Sequence, residues 1–512
     1  MTDTLRISSG KVYDPANAVA GKTRDILVCD GQIVSQLPDG AQPHTIDATG
    51  MIVMPGGVEM HAHLASMPIN AARQIQSATG YGPVVPSGPQ TGRLYSQLGY
   101  TVGVEAAVAP GAADHAHMQL DSMPNLDTAL LVLMGNHETL IEQIDRGDRA
   151  GAVAVVEQLL HAARGYGIKA VNPVGVAAWR RDAAKYRIDT LDDTAAGTRV
   201  SPRTMLELLT EAAQQLKLAH PTHIHGPQLG EPGNVEITIE MIRALAGRPF
   251  HLAHLQYYAY GKTKRGGLKS EAERLVSCLA DHPGATADLG LVAFGPAMTA
   301  TADLPLEYGL SRQAGAPGRP ARFVETGNED CFGVMPLDHL PSHPVHSMQW
   351  ATGLEMALLA EDLRQFALSV DHPNGGSFLN YPTLIAQLMS KPLRDEQLAT
   401  AHRHARHRTG LGDIRREMSL AEIATLTRAA PAKILGLKNK GHLLAGADAD
   451  ITIYRDDTAD PQRMFSSPPI VIKGGRIVVQ DGQLCETVSG KRLTAPVKAS
   501  ERGIDALGEG HK

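Results

Sequence analysis

The middle of the chain, residues 56–436, alternates helical stretches with short apolar runs. Residues 151–167, GAVAVVEQLLHAARGYG, have a helical pattern and precede the strand-like run IKAVNPVGV. Residues 201–220 begin with Ser-Pro, a typical helix start, and precede THIHG. A third helical stretch, NVEITIEMIRALAG, comes before FHLAHLQ. This repeat predicts an α/β fold of the (β/α) barrel type, in which catalytic groups lie at the C-terminal ends of the strands.

Both ends of the chain have a different pattern, that of short strands joined by turns. LRISSGKVYDP and DILVCDGQIVSQL lie near the start, and ADADITIYR and PPIVIKGGRIVVQDGQL lie near the end. Asp-Gly and Gly-Gly pairs between apolar runs are typical of tight turns. Because chain ends often lie close together, residues 1–55 and 437–490 are expected to form one small β domain. Residues 491–512 lack periodicity and are predicted to be an extended tail.

Composition limits the function classes. The 512 residues contain 43% hydrophobic and 20% charged residues, which is ordinary for a globular enzyme. Lys+Arg 48 against Asp+Glu 54 gives a net charge of −6, so no basic surface for nucleic acid or a membrane is predicted. The four cysteines have no paired spacing, the first residues lack the features of a signal peptide, and no apolar run is long enough for a membrane span. A cytoplasmic protein is expected.

Two histidines one residue apart, His61 and His63, follow the apolar run MIVMPGGVEM. Residues i and i+2 of a strand share a face, so both imidazoles can point into the barrel and reach one metal ion. Two locally hydrogen-bonded histidines would give the same pattern. The H-x-H pair alone is therefore compatible with both interpretations. Other candidate ligands in the sequence are needed to distinguish them.

Lys169 interrupts a strand-like run near its C-terminal end. A lysine there can pack its stem and extend its amine to solvent. If it is buried near cations, however, desolvation and repulsion favour the neutral amine. A neutral amine can react with CO2 to form a carbamate, whose two oxygens can bridge two metal ions. The sequence thus offers Lys169 as N6-carboxylysine as a candidate ligand.

Further candidates lie at the ends of later strands. His223 and His225 share one face of THIHG, His254 follows LA in FHLAHLQ, and Asp371 ends ALSVD before a Gly-rich loop. We prefer His223 over His225 as a ligand and keep both open. Two divalent ions with one carbamate, one Asp and a hydroxide leave a charge of about +1, which a polar pocket tolerates. Imidazole and carboxylate ligands suit zinc, and nickel, iron and manganese stay possible.

This ligand order resembles that of the amidohydrolase superfamily. ADADITIY, GGRIVVQDG and SLAEIATLTRAAPAKILGL are also similar to the usual C-terminal run of these enzymes. The resemblance covers residues from about 10 to 490. It implies a distorted TIM (β/α)8 barrel with a small β-sandwich domain built from both chain ends. It also implies two metal ions, held by His61, His63, Lys169, His223 or His225, His254 and Asp371.

A narrower resemblance is carried by VVPSGPQTGRLYSQLGYT, LLVLMGNHETL, HIHGPQLGEPGNVE and SVDHPNGG. These segments are similar to the A subunits of formylmethanofuran dehydrogenases and of the bacterial formyltransferase/hydrolase complex. The resemblance implies a heteromeric complex and a methanofuran- or methylofuran-type one-carbon carrier. The Ala- and Arg-rich composition favours the bacterial complex, in which this component hydrolyses the N-formyl group to formate. The archaeal alternative condenses formate with methanofuran.

The expected mechanism uses a hydroxide that bridges the metal ions and attacks the formyl carbon, with Asp371 passing a proton to the leaving amine. Two other functions stay open. One is a stand-alone hydrolase of cyclic amides or N-acyl amino acids, which would not need the unusual segment 66–139. The other is an inactive scaffold, although such relatives lose ligands that this chain keeps. The sequence assigns no substrate-binding residues.

Overall fold

The computed structural model describes residues 3–82, 84–182, 187–313, 321–325 and 331–509. Its strands, in chain order, are β1 (Thr4–Asp14), β2 (Val19–Cys29), β3 (Gln32–Val34), β4 (His44–Asp47), β5 (Met51–Pro55), β6 (Gly57–Ala62), β7 (Tyr100–Val108), β8 (Asp127–Leu133), β9 (Gly167–Val171), β10 (Thr222–His225), β11 (Phe250–Leu252), β12 (Tyr260–Lys262), β13 (Leu268–Ser270), β14 (Ala285–Asp288), β15 (Gly295–Thr301), β16 (Arg322–Val324), β17 (Phe332–His339), β18 (Phe366–Ala367), β19 (Ile451–Arg455), β20 (Ile470–Lys473), β21 (Arg476–Gln480) and β22 (Gln483–Leu484).

The helices are α1 (Met67–Thr79), α2 (Gly88–Gln97), α3 (Ala113–Asp121), α4 (Glu138–Asp145), α5 (Arg149–Ala162), α6 (Gly175–Arg181), α7 (Pro202–Gln215), α8 (Val235–Ala244), α9 (Ala272–Ala280), α10 (Leu304–Gln313), α11 (Pro344–Leu359), α12 (Tyr381–Met389), α13 (Lys391–Thr400), α14 (Arg403–Arg408), α15 (Leu420–Ala424), α16 (Ala430–Ile434), α17 (Pro461–Ser466) and α18 (Glu501–Glu509). Within the described ranges, none of them combines the length and apolar character needed to cross a lipid bilayer.

Eight parallel strands form the barrel, in the order β6, β7, β8, β9, β10, β11, β14 and β18. The ring closes where the end of β6 meets the segment after β18. There Ala62 forms a parallel bridge with His372, and the His63 N–H donates to the His372 carbonyl at 2.7 Å. The predicted TIM barrel is confirmed. The closure also brings the H-x-H pair next to Asp371.

The predicted helices at 151–167, 201–220 and 234–247 correspond to α5, α7 and α8. The start of α7 shows why that sequence forms a helix. The Ser201 hydroxyl accepts from the Thr204 N–H, the Thr204 hydroxyl accepts from the Ser201 N–H, and Pro202 occupies the first helical position.

A second sheet joins both ends of the chain, as predicted. Its order is β22, β21, β20, β19, β5, β1, β2 and β3, with β4 also paired to β1. The antiparallel pairing of β5 with β19 connects the N-terminal and C-terminal strands. Its core is aliphatic and includes Ile7, Val28, Val53, Ile451 and Ile472. Beyond the sheet, the C-terminal tail is extended until residue 500 and then forms α18, which packs on α5 and which the sequence did not predict.

An excursion between β14 and β18 adds a three-stranded antiparallel sheet of β15, β17 and β16. This sheet packs against α1, which follows the H-x-H strand, through an apolar cluster. The Tyr81 hydroxyl also donates to the Leu337 carbonyl at 2.6 Å. Because α1 and the excursion both follow C-terminal ends of barrel strands, they lie together at the mouth of the barrel.

Candidate metal centre

His61 and His63 lie at the C-terminal end of β6, with both rings buried. Their Nε2 atoms converge on one oxygen, Oδ1 of Asp371, each at a distance of 3.3 Å. Asp371 itself has a left-handed backbone with φ of 48°, which any residue but glycine adopts at a cost. Burial would raise the pKa of Asp371, but the two histidines hold it well below its ordinary value. The carboxylate is therefore ionised.

Lys169 lies in the middle of β9 and is 2% exposed. Its Nζ atom has no hydrogen-bond partner among the described residues. Burial lowers the pKa of Lys169 to about 8, although Asp288 and Asp371 oppose the shift. A buried amine without a partner is costly, and a carbamate with metal ligands would remove that cost. The site thus fits the predicted carboxylysine.

The next strand, β10, carries both candidate histidines on its inward face. His225, its last residue, has Nδ1 at 3.1 Å from Nε2 of His254, which follows β11. His223 lies one step deeper, paired in register with Lys169. Its Nδ1 is 3.1 Å from His220 Nε2, and its Nε2 is 3.1 Å from His61 Nδ1. Of the two, His225 therefore lies at the strand end beside His254, and His223 lies deeper beside His61, so both stay candidate ligands.

Among the residues that the structure describes, two groups of three side chains have donor atoms close enough together to hold one ion. The first contains His61, His254 and Asp371 and lies at the mouth of the barrel. The second contains His61, His223 and Asp288 and lies one step deeper. All five residues are buried, and imidazole together with carboxylate is a donor set that suits zinc.

The sequence did not point to three buried carboxylates that, among the described residues, face ring nitrogens of these histidines. Asp288 Oδ2 lies 2.8 Å from His61 Nδ1, Glu105 Oε1 lies 3.3 Å from His63 Nδ1, and Asp303 Oδ2 lies 3.5 Å from His225 Nε2. Asp288 ends a barrel strand in ATADLG, so the rule that led to Asp371 could have found it. Glu105 lies inside an apolar run, and Asp303 belongs to the unpredicted excursion.

A small, mostly apolar cavity opens beside His63. Its walls come from the segment after β6, from the strand ends of β7 and β8, and from the excursion; they are His63, Ser66, Met67, Pro68, Ala107, Ala109, Ala112, Leu133, Ala302, Cys331 and Phe332. A second small cavity shares Leu133, Ala302 and Cys331 with it and reaches Arg180. The candidate metal centre therefore has mostly apolar space on one side.

Comparison with known proteins places this fold and site in a family. The family model described as "Amidohydrolase family" matches residues 44–479. The chain belongs to the amidohydrolase family. Relatives that share only 14% identity have the same fold, for example a D-aminoacylase studied for its binuclear metal centre, with a TM-score of 0.53 over 96% of this chain and 99% of that one.

Two relatives match almost the whole chain. The A subunit of the formyltransferase/hydrolase complex Fhc from Methylorubrum extorquens is 37% identical, over 99% of this chain and 93% of the relative. Protein FwdA from Methanocaldococcus jannaschii is 36% identical, over 97% and 91%. The crystal structure of the M. extorquens complex FhcABCD with methylofuran contains a chain with a TM-score of 0.93 at 36% identity, covering 99% of this chain and 94% of that one. Both resemblances inferred from the sequence are confirmed.

Proposed function

We propose that this chain is the formyl hydrolase subunit of a formyltransferase/hydrolase complex. It would release formate from the N-formyl group of a methylofuran-type carrier. The observation that carries this proposal is the full-length similarity to the A subunit of Fhc, together with the group of His61, His254 and Asp371 at the mouth of the barrel. The other subunits of such a complex would be its partners.

The ligand set that we propose is His61, His63, Lys169 as a carbamate, His225, His254 and Asp371, with His223 as the alternative to His225. This set would hold two divalent ions, with zinc preferred by the donor chemistry. Such ions, when bound, acidify a water molecule and polarise a carbonyl oxygen. The buried and unpartnered Lys169 amine supports the carbamate.

Asp371 would transfer the proton from the attacking water to the leaving amine. Its carboxylate is ionised, buried and directed at the H-x-H pair, so it can accept a proton from the attacking water and return it to the leaving amine. The small cavity beside His63 has mostly apolar walls, which would limit the access of water to the reacting carbonyl.

The second candidate function is condensation of formate with methanofuran, the reverse reaction. It is supported by the nearly full-length similarity to FwdA. The same residues would catalyse both hydrolysis and condensation, because the two reactions pass through the same transition state in opposite directions. Identification of the copurifying subunits separates the two. A formyltransferase subunit supports hydrolysis, whereas a molybdopterin-dependent redox subunit supports condensation.

The direct test is formate release from a formylated carrier by the purified complex that contains Asp371→Ala. General acid–base groups typically contribute 10²- to 10⁴-fold, so we expect turnover to fall at least about 100-fold while the fold is kept. Asp395→Asn, an exposed carboxylate that pairs with Lys391, is the matched control and should keep full activity. A folded Asp371→Ala complex with near-normal turnover would contradict the proposal. Hydrolysis of hydantoins or dihydropyrimidines by the isolated chain would favour a stand-alone cyclic amidase.

A further inference from the structure

Among the described residues, two buried carboxylates outside the proposed ligand set contact the rings of the H-x-H histidines at Nδ1. Asp288 approaches Nδ1 of His61 at 2.8 Å, and Glu105 approaches Nδ1 of His63 at 3.3 Å. In both cases the opposite ring nitrogen, Nε2, points at Asp371. Each histidine thus lies between one carboxylate that contacts Nδ1 and the shared carboxylate that contacts Nε2.

The carboxylates are themselves held in place. Glu105 Oε2 accepts hydrogen bonds from the backbone N–H groups of Leu64, Ala65 and Ser66 at 2.6, 2.7 and 3.1 Å. These three residues directly follow His63, so Glu105 fixes the chain as well as the ring. Both carboxylates are fully buried. A side chain with this many partners cannot rotate away without leaving buried N–H groups unpaired, which is costly.

Asp288 also reaches the other proposed ligands. Its Oδ1 accepts the backbone N–H of His254 at 3.0 Å and the hydroxyl of Ser369. Its Oδ2 lies 3.2 Å from Nε2 of His251 on the neighbouring strand. Asp288 therefore connects the ring of His61 with the backbone of His254, which has a left-handed conformation with φ of 35°. One carboxylate orients ligands on both sides of the site.

We propose that Asp288 and Glu105 are positioning residues for the metal centre. A neutral imidazole carries one N–H, and a carboxylate at Nδ1 keeps the proton on that nitrogen. The lone pair of Nε2 is then directed at the metal position in both histidines. This inference rests on the proposed function only in requiring a metal at His61 and His63, not in the identity of the substrate.

The experiment measures zinc binding by the full-length chain in chelator competition, together with the visible spectrum of the cobalt-loaded chain. Asp288→Asn and Glu105→Gln keep the side-chain volume and remove the charge, and we expect 10- to 100-fold weaker binding and a changed cobalt spectrum. Glu355→Gln is the matched control, because Glu355 is also a buried carboxylate that accepts a backbone N–H, from Gly410 at 2.8 Å, but outside the site. Its zinc affinity should equal that of the wild type.

Wild-type zinc affinity in folded Asp288→Asn and Glu105→Gln would overturn the proposal. A wild-type chain that binds three ions, one of which is lost in Asp288→Ala, would also overturn it, since Asp288 would then be a ligand in the deeper group with His61 and His223. If Asp288→Ala does not fold, the zinc affinity of the isosteric Asp288→Asn variant tests the proposal instead. Normal zinc binding without formyl hydrolysis by the wild-type complex would instead contradict the proposed function alone.

Discussion

At the scale of single residues, Lys169 is the proposed ligand whose role depends most on its surroundings in the folded protein. The sequence could offer it as a ligand only because it interrupts an apolar run, and a lysine with a solvent-exposed amine gives the same pattern. The structure adds the decisive physical facts, which are burial and an amine without a hydrogen-bond partner among the described residues. Burial lowers its pKa to about 8, so that roughly a tenth of the amine is neutral at pH 7, and the neutral form is the one that reacts with CO2.

We therefore predict a carbamate on Lys169 in the metal-loaded protein. After incubation with ¹³C-labelled bicarbonate and metal, the protein should give one carbamate carbon signal by NMR. The signal should disappear on metal removal by a chelator, because the ions stabilise the anionic carbamate. Lys169→Met, which keeps the length and apolar stem, should give no signal at all. A free Lys169 amine in a metal-loaded crystal structure would contradict the prediction.

The choice between His223 and His225 could not be made from the sequence. Both lie on the inward face of one strand, and the alternation of side chains makes them equivalent. Their difference is depth in the barrel, which depends on the register of β10 against β9. The contact of His223 with His61 forms only when the barrel brings their strands together. The contacts of Asp288 with His61 and of Glu105 with His63 also join different strands, so the sequence alone does not indicate them.

At the scale of elements, helices with an apolar stripe were predictable, and the excursion was not. The stretches that became α5, α7 and α8 have a regular helical pattern and, in α7, a capping box. The strands β15, β16 and β17 lie in a Gly-, Pro- and Ala-rich part of the chain without clear alternation. These strands are stabilised by packing on α1. Because α1 is far away in the sequence, the local residue pattern does not indicate this contact.

Gly290, two residues after the end of β14, gives a prediction at the scale of elements. It has φ of 59°, and a Cβ atom built on it would overlap the backbone and Cβ of His254. Gly290→Ala should therefore push His254 out of place and weaken metal binding at least about tenfold, since positioning losses at metal sites have that size. Zinc affinity from chelator competition measures the effect.

The control for Gly290→Ala is Gly80→Ala. Gly80 ends α1 with φ of 65°, and its Cβ would meet open space. That variant should cost about 1–2 kcal/mol of backbone strain and leave zinc affinity unchanged. Equal zinc affinity in the two variants would mean that contact with His254 has no consequence for the site.

At the scale of the whole molecule, the barrel and the terminal sheet meet at a buried ionic cluster. Asp127 begins the barrel strand β8, and Lys473 ends β20 of the sheet. Lys473 Nζ lies 2.8 Å from both Asp127 and Asp450, and Lys440 Nζ lies 2.6 Å from Asp450 and also pairs with Asp127. The cluster lies at the N-terminal end of β8, whereas the candidate metal centre lies at the C-terminal ends of the strands. In barrels of this kind the N-terminal face supports stability and the opposite face supports chemistry.

Removal of one carboxylate from this cluster should therefore affect stability without affecting metal binding. Asp450→Ala leaves two buried lysines with reduced charge compensation, and such a loss typically costs about 3–5 kcal/mol. Lys491→Ala, which removes a largely exposed partner of Asp448 at 3.1 Å, should cost less than about 1 kcal/mol. Denaturant unfolding measures both values, and zinc content measures the site. A loss of zinc from folded Asp450→Ala would show that the two faces of the barrel are coupled, because the ionic cluster and the metal centre have no member in common among the described residues.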